Sequence, residues 1–179
     1  MQPRWTAEAQ AGDSVELRAV MPEDLPLFFA QQLDAEANYR AAFTAKDPAD
    51  WDAFQAKWTR ILQDDAIVNR TILFQGQVIG HVASFEQFGD QEVSYWLDKA
   101  YWGQGLATKA LAAFLNEFSV RPLFARAVKD NVASLRVLAK CGFVIVGEDT
   151  GFANARGAEV EEFILELRPF RTPEATENP

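Results

Sequence analysis

Hydrophobic and polar positions change their period along the chain, and these changes mark the predicted elements. Residues 14–20 (SVELRAV) alternate between apolar and polar and predict a first strand. Pro22 and the acids after it open a helix, and Asp47-Pro48 opens another, whose apolar residues recur every three or four positions from 51 to 62. The segment 34–46 between them is ambiguous and favours a helix with an irregular end.

The middle of the chain has the pattern of a three-stranded meander. Runs 67–74 and 78–85 are rich in apolar and β-branched residues, and Gln75-Gly76-Gln77 between them predicts a short hairpin loop. Residues 92–97 (EVSYWL) form the third predicted strand.

The second half of the chain mixes helices and strands. Strands are predicted over 122–128, 143–147 and 160–167, and a helix is predicted over 131–141, with Gly142 as its stop. Another helix, after residue 105, is predicted by the apolar stripe Ala107, Ala110, Leu111, Phe114, Leu115 and Phe118. The order of all these elements is β-α-α-β-β-β-α-β-α-β-β. It predicts an α+β fold around a mixed sheet with a strand–helix–strand crossover near its middle.

Both ends differ from the rest of the chain. Residues 1–13 and 168–179 are polar, so we expect flexible ends around a single domain of residues 14–167. The length of 179 residues suits one domain with a full core. No apolar run approaches the ~20 residues of a membrane span, and the first residues do not have the pattern of a signal peptide. We therefore expect a cytoplasmic protein without a membrane partner.

Composition narrows the chemistry. One Cys and one His exclude an internal disulfide and a Cys/His zinc site, so no metal is expected. The net charge is −9, from 17 Lys and Arg against 26 Asp and Glu, and no basic cluster is present, so no nucleic-acid partner is expected. This acidic balance favours cationic partners, and a role in solubility explains it as well.

A glycine-containing loop lies between a predicted strand and a predicted helix, over 101–108 (YWGQGLAT). Gly103 and Gly105 allow a tight turn, and the free N–H groups of the helix that follows favour an anion such as a pyrophosphate. The same glycines also suit a plain strand-to-helix turn. A Walker loop is excluded because Lys109 follows Thr108 in the wrong order, and the dinucleotide fingerprint is excluded because its third glycine is missing.

A second motif follows over 130–143, with the form DN-x-x-S-x-R-V-L-x-K-x-GF. Asn131 is placed to cap a helix, and Gly142-Phe143 ends that helix and begins a strand. Together with YWL-x(4)-WGQGLAT over 95–108, this segment resembles the GNAT acetyltransferases, and most of all their ribosomal-protein N-acetyltransferase branch. The resemblance covers roughly residues 14–167, because the order of elements also matches.

The resemblance implies an acetyl-CoA-dependent transferase whose mostly antiparallel sheet splays at its middle and admits the pantetheine arm. Asn131 would hydrogen-bond that arm, Ser134 would lie near the sulfur, and the backbone of 95–97 would pair with the pantetheine amides. Lys109 or Lys140 would meet the 3′-phosphate. The residues assigned to acetyl-CoA in this way are Tyr95, Trp96, Leu97, Trp102, Gly103, Gln104, Gly105, Leu106, Ala107, Thr108, Asn131 and Ser134.

Two positions depart from the family's pattern. Trp102 stands where the loop commonly begins with Arg or Gln, which removes one phosphate contact. Leu138 stands where many members carry a tyrosine that acts as general acid. Either Ser134 then protonates the thiolate or no acid is needed, because a thiol of pKa ~8.5 is already a fair leaving group.

The implied reaction is direct attack of an amine on the thioester, which requires loss of a proton from the ammonium form. Glu92 is the first candidate base and His81, on the neighbouring strand, is the second. A solvated glutamate and a packed histidine are the structural alternatives. Backbone N–H groups over 95–98 would stabilise the oxyanion, and Cys141 is expected in the core with no nucleophilic role.

The expected acceptor is a primary amine of a small molecule or a protein N-terminus, and a polyamine, an amino acid and an antibiotic amine all stay open. Transfer of a longer acyl group, a catalytically weak CoA-binding sensor or scaffold, and an interaction domain with a structural loop are the competing functions. The apolar helices and the last strand are compatible with a homodimer. A cationic amine is favoured by the acids and aromatics Asp34, Glu36, Tyr39, Phe43, Asp47, Asp50, Trp51 and Phe54, which two packed amphipathic helices explain as well.

Overall fold

The computed structural model describes residues 13–169, so most of the two predicted flexible ends, 1–12 and 170–179, lies outside the described residues. The strands are β1 (Val15–Arg18), β2 (Val68–Phe74), β3 (Gln77–Gln87), β4 (Asp90–Leu97), β5 (Leu123–Val128), β6 (Val144–Ala153) and β7 (Ala158–Leu167). The helices are α1 (Leu25–Gln32), α2 (Ala35–Ala41), α3 (Trp51–Gln63), α4 (Leu106–Glu117) and α5 (Val132–Lys140), with 3-10 turns at Pro22–Asp24 and Lys99–Tyr101.

The strands form one sheet in the order β1-β2-β3-β4-β5-β7-β6. Neighbouring strands run antiparallel except β4 and β5, which are parallel and connected through α4. The α+β fold, the mixed and mostly antiparallel sheet, and the central crossover are therefore confirmed.

β4 and β5 pair over a very short stretch. Their ladder has a single partner pair, Glu92 with Phe124, whereas β3 pairs with β4 from Asp90 to Leu97. Beyond Glu92 the two parallel strands diverge, and the edge of β4 that faces β5 has no strand partner. The splay expected at the middle of the sheet is present at this point.

Helices cover both faces of the sheet. α4 and α5 pack on one face in the main core, and α1 and α3 pack on the other face in a smaller core. Apolar residues three and four positions apart put the buried side chains of each helix on one side. The helices contribute Leu106, Ala110, Leu111, Phe114 and Leu138 to the main core, and Leu25, Phe28, Phe54 and Trp58 to the smaller one.

The two faces divide the side chains of β4. Tyr95 packs against the main core, on the side of α4 and α5. Trp96 pairs with His81 of β3, whose ring centroid lies 4.7 Å from that of Phe28 and 5.0 Å from that of Trp58. Because alternate residues of a strand share a face, Glu92 lies on the same face as Trp96, toward α1 and α3.

The predicted start of α3 is wrong by a few residues. The helix begins at Trp51 because the carboxylate of Asp50 accepts a hydrogen bond from the N–H of Ala53 at 2.9 Å and caps the first turn. Asp47, the predicted start, instead accepts from the N–H of Ala49 at 2.9 Å and closes a turn of its own.

β6 extends beyond the predicted strand 143–147 and ends at residue 153. It is an edge strand, and most of its side chains are exposed. Its sequence therefore does not show the alternation that marks a half-buried strand.

No helix within residues 13–169 is long and apolar enough to cross a membrane. The same residues hold no group of three or more His, Cys, Asp or Glu side chains arranged to bind a metal ion. The cytoplasmic location expected from the sequence stays a prediction.

Candidate active site

A cavity passes through the sheet where β4 and β5 diverge. Its volume is about 840 Å³, which is in the range of small-molecule sites, and side chains from both faces of the sheet line it. Tyr95 and Ser134 line it from the face covered by α5, which we call the α5 side. Trp58, His81 and Glu92 line it from the opposite face, which we call the α3 side. The cavity therefore joins two half-sites across the sheet.

The glycine loop leads into α4 without a side-chain cap. Gly103 and Gly105 both have φ of +74°, a left-handed conformation that glycine adopts at little cost. Gly105 is the residue before the helix and carries no side chain, so the N–H groups of the first turn keep their hydrogen-bonding capacity. A Cβ at either glycine would meet no atom within 4 Å, so the turn faces open space. This arrangement suits an anion and weakens the alternative of a packed structural turn.

Trp102 ties the glycine loop to the end of β4. Its indole N–H donates to the carbonyl oxygen of Leu97 at 2.9 Å, and the guanidinium of Arg40 from α2 lies over its ring at 4.7 Å. The resemblance implies that the Leu97 backbone is free to pair with pantetheine, but its carbonyl oxygen already accepts this hydrogen bond from Trp102. A cation from α2 is present beside Trp102, the position at which family members commonly carry Arg or Gln.

Asn131 uses both ends of its side-chain amide within the protein. Its Oδ1 accepts a hydrogen bond from the N–H of Ser134 at 3.2 Å and caps α5, which confirms the predicted cap. Its Nδ2 donates to the carbonyl oxygen of Arg40 at 3.1 Å. Nδ2 has a second N–H, so the hydrogen bond to pantetheine expected from the resemblance does not require Asn131 to give up its contact with Arg40.

On the α5 side, two hydroxyl groups meet. The Tyr95 hydroxyl oxygen lies 2.9 Å from Oγ of Ser134. Burial raises the pKa of Tyr95 to about 12, so the phenol stays protonated at neutral pH. Leu138, one turn further along α5, is buried and lines the same cavity. The position of the family's tyrosine is thus an apolar wall here, and a different tyrosine approaches from β4.

On the α3 side, Glu92 is part of a buried ion-pair cluster. Only 5% of Glu92 is exposed, and its Oε1 accepts from Nε of Arg126 at 2.9 Å. Nη1 of Arg126 donates to Glu162 at 2.9 Å and to Asp149 at 3.0 Å, so one cation faces three carboxylates. Burial raises the pKa of Glu92, although the guanidinium opposes this. A raised pKa in a net negative cluster suits a group that accepts a proton from an ammonium ion.

His81 does not have the basicity of a general base. Its ring lies beside Phe28 and Trp58, and burial together with the charge of Lys57 lowers its pKa to about 3. The imidazole is neutral at pH 7 and binds a proton too weakly to deprotonate an ammonium ion. His81 therefore lines the cavity as a packed, neutral side chain, which is the alternative to a general base that the sequence left open for this residue.

The remaining candidates lie near the ends of α4 and α5. Nζ of Lys109 donates to the carbonyl oxygen of Asp13 at 2.9 Å, while Lys140 is exposed in the last turn of α5. Cys141 is partly buried, and burial raises the pKa of its thiol, which favours the unreactive protonated form.

Four of the eight acidic and aromatic residues that the sequence analysis assigns to the acceptor side line the cavity. α3 also contributes two cations to its lining, Lys57 and Arg60, so the rim has a mixed charge and is less acidic than the sequence predicts. Phe43, Asp47, Asp50 and Phe54 line the cavity, whereas Asp34, Glu36, Tyr39 and Trp51 do not.

The sequence does not identify Arg126 as a site residue, and it assigns Tyr95 a role through its backbone alone. Arg126 has a detectable signal, because a charge in the middle of the otherwise apolar strand LFARAV indicates a buried ion pair. The side chain of Tyr95 has none, because its partner Ser134 is 39 residues away and the contact depends on the packing of α5 against β4.

A family model described as an acetyltransferase (GNAT) domain matches residues 14–144. Solved structures with a similar fold include Mycobacterium smegmatis RimJ in complex with CoA-disulfide (TM-score 0.72, 20% identity, 87% of this chain and 83% of that chain covered). They also include spermidine N-acetyltransferase from Vibrio cholerae in complex with CoA and spermine (TM-score 0.71, 18% identity, 86% and 95% covered). A third is ribosomal-protein-S5-alanine acetyltransferase from Vibrio fischeri (TM-score 0.67, 19% identity, 86% and 92% covered). No curated protein sequence matches the chain.

At these identities the solved structures establish the fold. The family model adds a match in sequence over most of the chain, and that match includes the glycine loop and the motif at 130–143. The resemblance drawn from these two motifs is confirmed: the chain belongs to the GNAT acetyltransferase domain family.

Proposed function

We propose that the protein is an acetyl-CoA-dependent N-acetyltransferase that acetylates a primary amine by direct attack on the thioester. The observation that carries the proposal is the cavity through the splayed sheet, with two hydroxyl groups on the α5 side and a buried carboxylate on the α3 side. Acyl transfer to an amine uses groups on both sides of the acetyl carbon, because the thiolate leaves from one side and the amine approaches from the other.

The donor is assigned to the α5 side and the glycine loop. The N–H groups at 103–108 bind the pyrophosphate, and the edge of β4 at 95–97 receives the pantetheine amides in the manner of an added strand. At Leu97 this requires the carbonyl to release or share its hydrogen bond with the Trp102 indole. The open space at Gly103 and Gly105 and the uncapped start of α4 fit such a ligand. Family membership and the CoA in two of the similar structures support this choice.

Glu92 is assigned as the base on the α3 side. It takes one proton from the ammonium ion directly or through water, and the amine nitrogen then bonds to the carbonyl carbon. The nitrogen loses its second proton to solvent water, and the carbon–sulfur bond breaks with its electron pair on sulfur. Backbone N–H groups of β4 beyond Glu92 stabilise the oxyanion. Burial supports this role, because a carboxyl with a raised pKa is a better base near neutral pH.

The acceptor is a primary amine of a small molecule or of a protein N-terminus. The cluster around Arg126 has one positive and three negative side chains, so it attracts a protonated amine. One similar structure is that of a spermidine N-acetyltransferase and another that of a ribosomal-protein-alanine acetyltransferase, which makes polyamines and protein N-termini the first acceptors to test.

Calorimetric titration with acetyl-CoA, with dephospho-CoA and NAD as controls, tests the donor. Release of the CoA thiol is then followed with spermidine, peptides with a free N-terminal alanine, amino acids and an aminoglycoside, with N-terminally blocked peptides as control. Turnover of at least one amine supports the proposal. Binding of acetyl-CoA without turnover supports a CoA-binding module instead. If acetyl-CoA does not bind, its assignment as the acetyl donor is refuted.

A further inference from the structure

Tyr95 and Ser134 form a hydroxyl pair at the wall of the cavity, on the face opposite Glu92. The phenol comes from β4 and the serine from α5, and their oxygens are 2.9 Å apart. Both residues line the cavity, beside the buried Leu138. The pair therefore occupies the region in which the family's tyrosine would act, with the phenol supplied from another element.

The direction of this hydrogen bond follows from the chemistry of the two groups. A phenol is a stronger acid than an aliphatic alcohol and so the better donor, and Tyr95 stays protonated because burial raises its pKa to about 12. Tyr95 therefore donates to Oγ of Ser134. Ser134 does not use its own hydrogen on the backbone of its helix within the described residues, whereas Thr59 of α3 donates to the carbonyl of Gln55 at 2.9 Å.

We propose that Tyr95 is a positioning residue, which by donating to Oγ of Ser134 turns the serine hydrogen toward the sulfur of the bound thioester. This inference rests on the proposed function. Ser134 then donates a hydrogen bond to the thiolate as the carbon–sulfur bond breaks with its electron pair on sulfur. Glu92 takes one proton from the ammonium ion before the attack, and the nitrogen loses its second proton to solvent water as the amide forms. The thiolate takes a proton from solvent water after it leaves.

The two hydroxyl groups form a chain of hydrogen-bond donors and do not pass a proton to the sulfur. A phenol with a pKa of about 12 does not give its proton to a thiolate whose thiol has a pKa of ~8.5. Both hydroxyl protons therefore stay on their oxygens through the reaction. What changes is the stability of the negative charge on sulfur, which a charge-assisted hydrogen bond increases.

The test uses CoA and desulfo-CoA, which differ in the thiol alone, so no acceptor has to be known. Calorimetry gives both affinities between pH 6.5 and 9.5 for the wild type, Tyr95→Phe and Ser134→Ala. If the bound thiolate accepts a hydrogen bond that lowers its pKa by one unit, the preference for CoA over desulfo-CoA grows about tenfold as the pH rises. We expect about threefold in Tyr95→Phe and no growth in Ser134→Ala.

Tyr39→Phe is the matched control, because Tyr39 is exposed and its ring lies against Arg156 outside the cavity. It should keep the full pH dependence of the wild type. Thermal unfolding checks that each variant folds. If Tyr95→Phe does not fold, Tyr95→Leu, which also lacks the phenol hydroxyl, takes its place, and the proposal requires the same reduced growth of the preference for CoA over desulfo-CoA.

The outcomes separate this inference from the proposed function. Failure of the wild type to bind either ligand overturns both. Binding of both ligands with a preference that does not change with pH overturns the role of the hydroxyl pair and leaves the donor assignment intact. A preference that grows equally in the wild type and Tyr95→Phe assigns the effect to Ser134 alone and refutes the part given to Tyr95.

Discussion

Removal of the Arg126 guanidinium tests the electrostatics that hold Glu92 in the cavity. Arg126→Met keeps much of the apolar stem and removes the cation. The side chains of Glu92 and Glu162 are only 7% and 10% exposed, so the change leaves two buried carboxylates without their counter-charge. Asp149 is 53% exposed and is solvated without Arg126.

The magnitude follows from the contact distances. Each of the two buried carboxylates lies 2.9 Å from a guanidinium nitrogen, and at an effective dielectric constant of 20 one such contact is worth about 6 kcal/mol before desolvation. Desolvation of the ions offsets most of this, and removing one partner of a buried pair costs about 3–5 kcal/mol. We therefore expect Arg126→Met to lower the free energy of unfolding by about 3–5 kcal/mol at pH 7.

The loss depends on pH with a defined sign. Without the guanidinium, burial raises the pKa of Glu92 further above its ordinary value, so the folded state binds the proton more tightly than the unfolded state. Such a group destabilises the fold at a pH above its folded pKa, and the destabilisation disappears as the pH falls to the unfolded value of ~4.3. The difference between variant and wild type should therefore shrink from pH 7 to pH 4.5.

Urea unfolding followed by tryptophan fluorescence measures this difference at both pH values. Lys129→Met is the matched control, since Lys129 also bridges two carboxylates, Glu148 and Glu161, which are 59% and 65% exposed. Pairs with such exposed carboxylates contribute little to stability, so Lys129→Met should lower the free energy of unfolding far less than Arg126→Met. Equal losses in the two variants at pH 7, or a loss in Arg126→Met that is the same at pH 4.5, would refute the reasoning.

Three further changes have defined outcomes. Gly105→Glu puts bulk and negative charge at the proposed pyrophosphate site, so calorimetry should show CoA affinity falling about 30-fold or more. Gly76→Glu, with a similar left-handed φ in the β2–β3 turn, should leave that affinity unchanged, and equal losses would contradict the loop assignment. Glu92→Gln should lower turnover most at a pH below the pKa of the amine, with recovery as the pH rises, whereas a loss of the same size at every pH argues against a base. Gly80→Ala puts a Cβ 2.0 Å from the carbonyl oxygen of Trp96 and should lower the free energy of unfolding by about 1–3 kcal/mol or more in urea, while an unchanged value argues against so close an approach of β3 and β4.

Elements with strong local signals could be predicted because these signals act over a few residues. The hairpin turn at Gln75 and Gly76 follows from residues adjacent in the chain, and the cap of α5 joins Asn131 to a backbone N–H three residues later. The start of α3 was misplaced because Asp47 and Asp50 both close turns, and the competition between such equivalent side chains is not visible in the pattern.

The family could be identified from the sequence, and the proposed donor loop follows from it, because each motif is a contiguous run with its own backbone requirements. Gly103 and Gly105 in left-handed conformations at the start of a helix are an example. The residues of the loop are consecutive in the chain, so no contact with a distant residue is needed to recognise it. The same reason made the order of strands and helices accessible.

The chemistry of the two half-sites, in contrast, depends on contacts between distant parts of the chain. Tyr95 meets Ser134 across 39 residues, and Glu92 meets Arg126 across 34. Which side chains share a face depends on strand register, and the cavity exists because β4 and β5 separate after one partner pair. The weak basicity of His81 likewise arises from burial beside rings of two helices. Such burial and charge pairing arise when the chain packs, so the residue types alone do not reveal them.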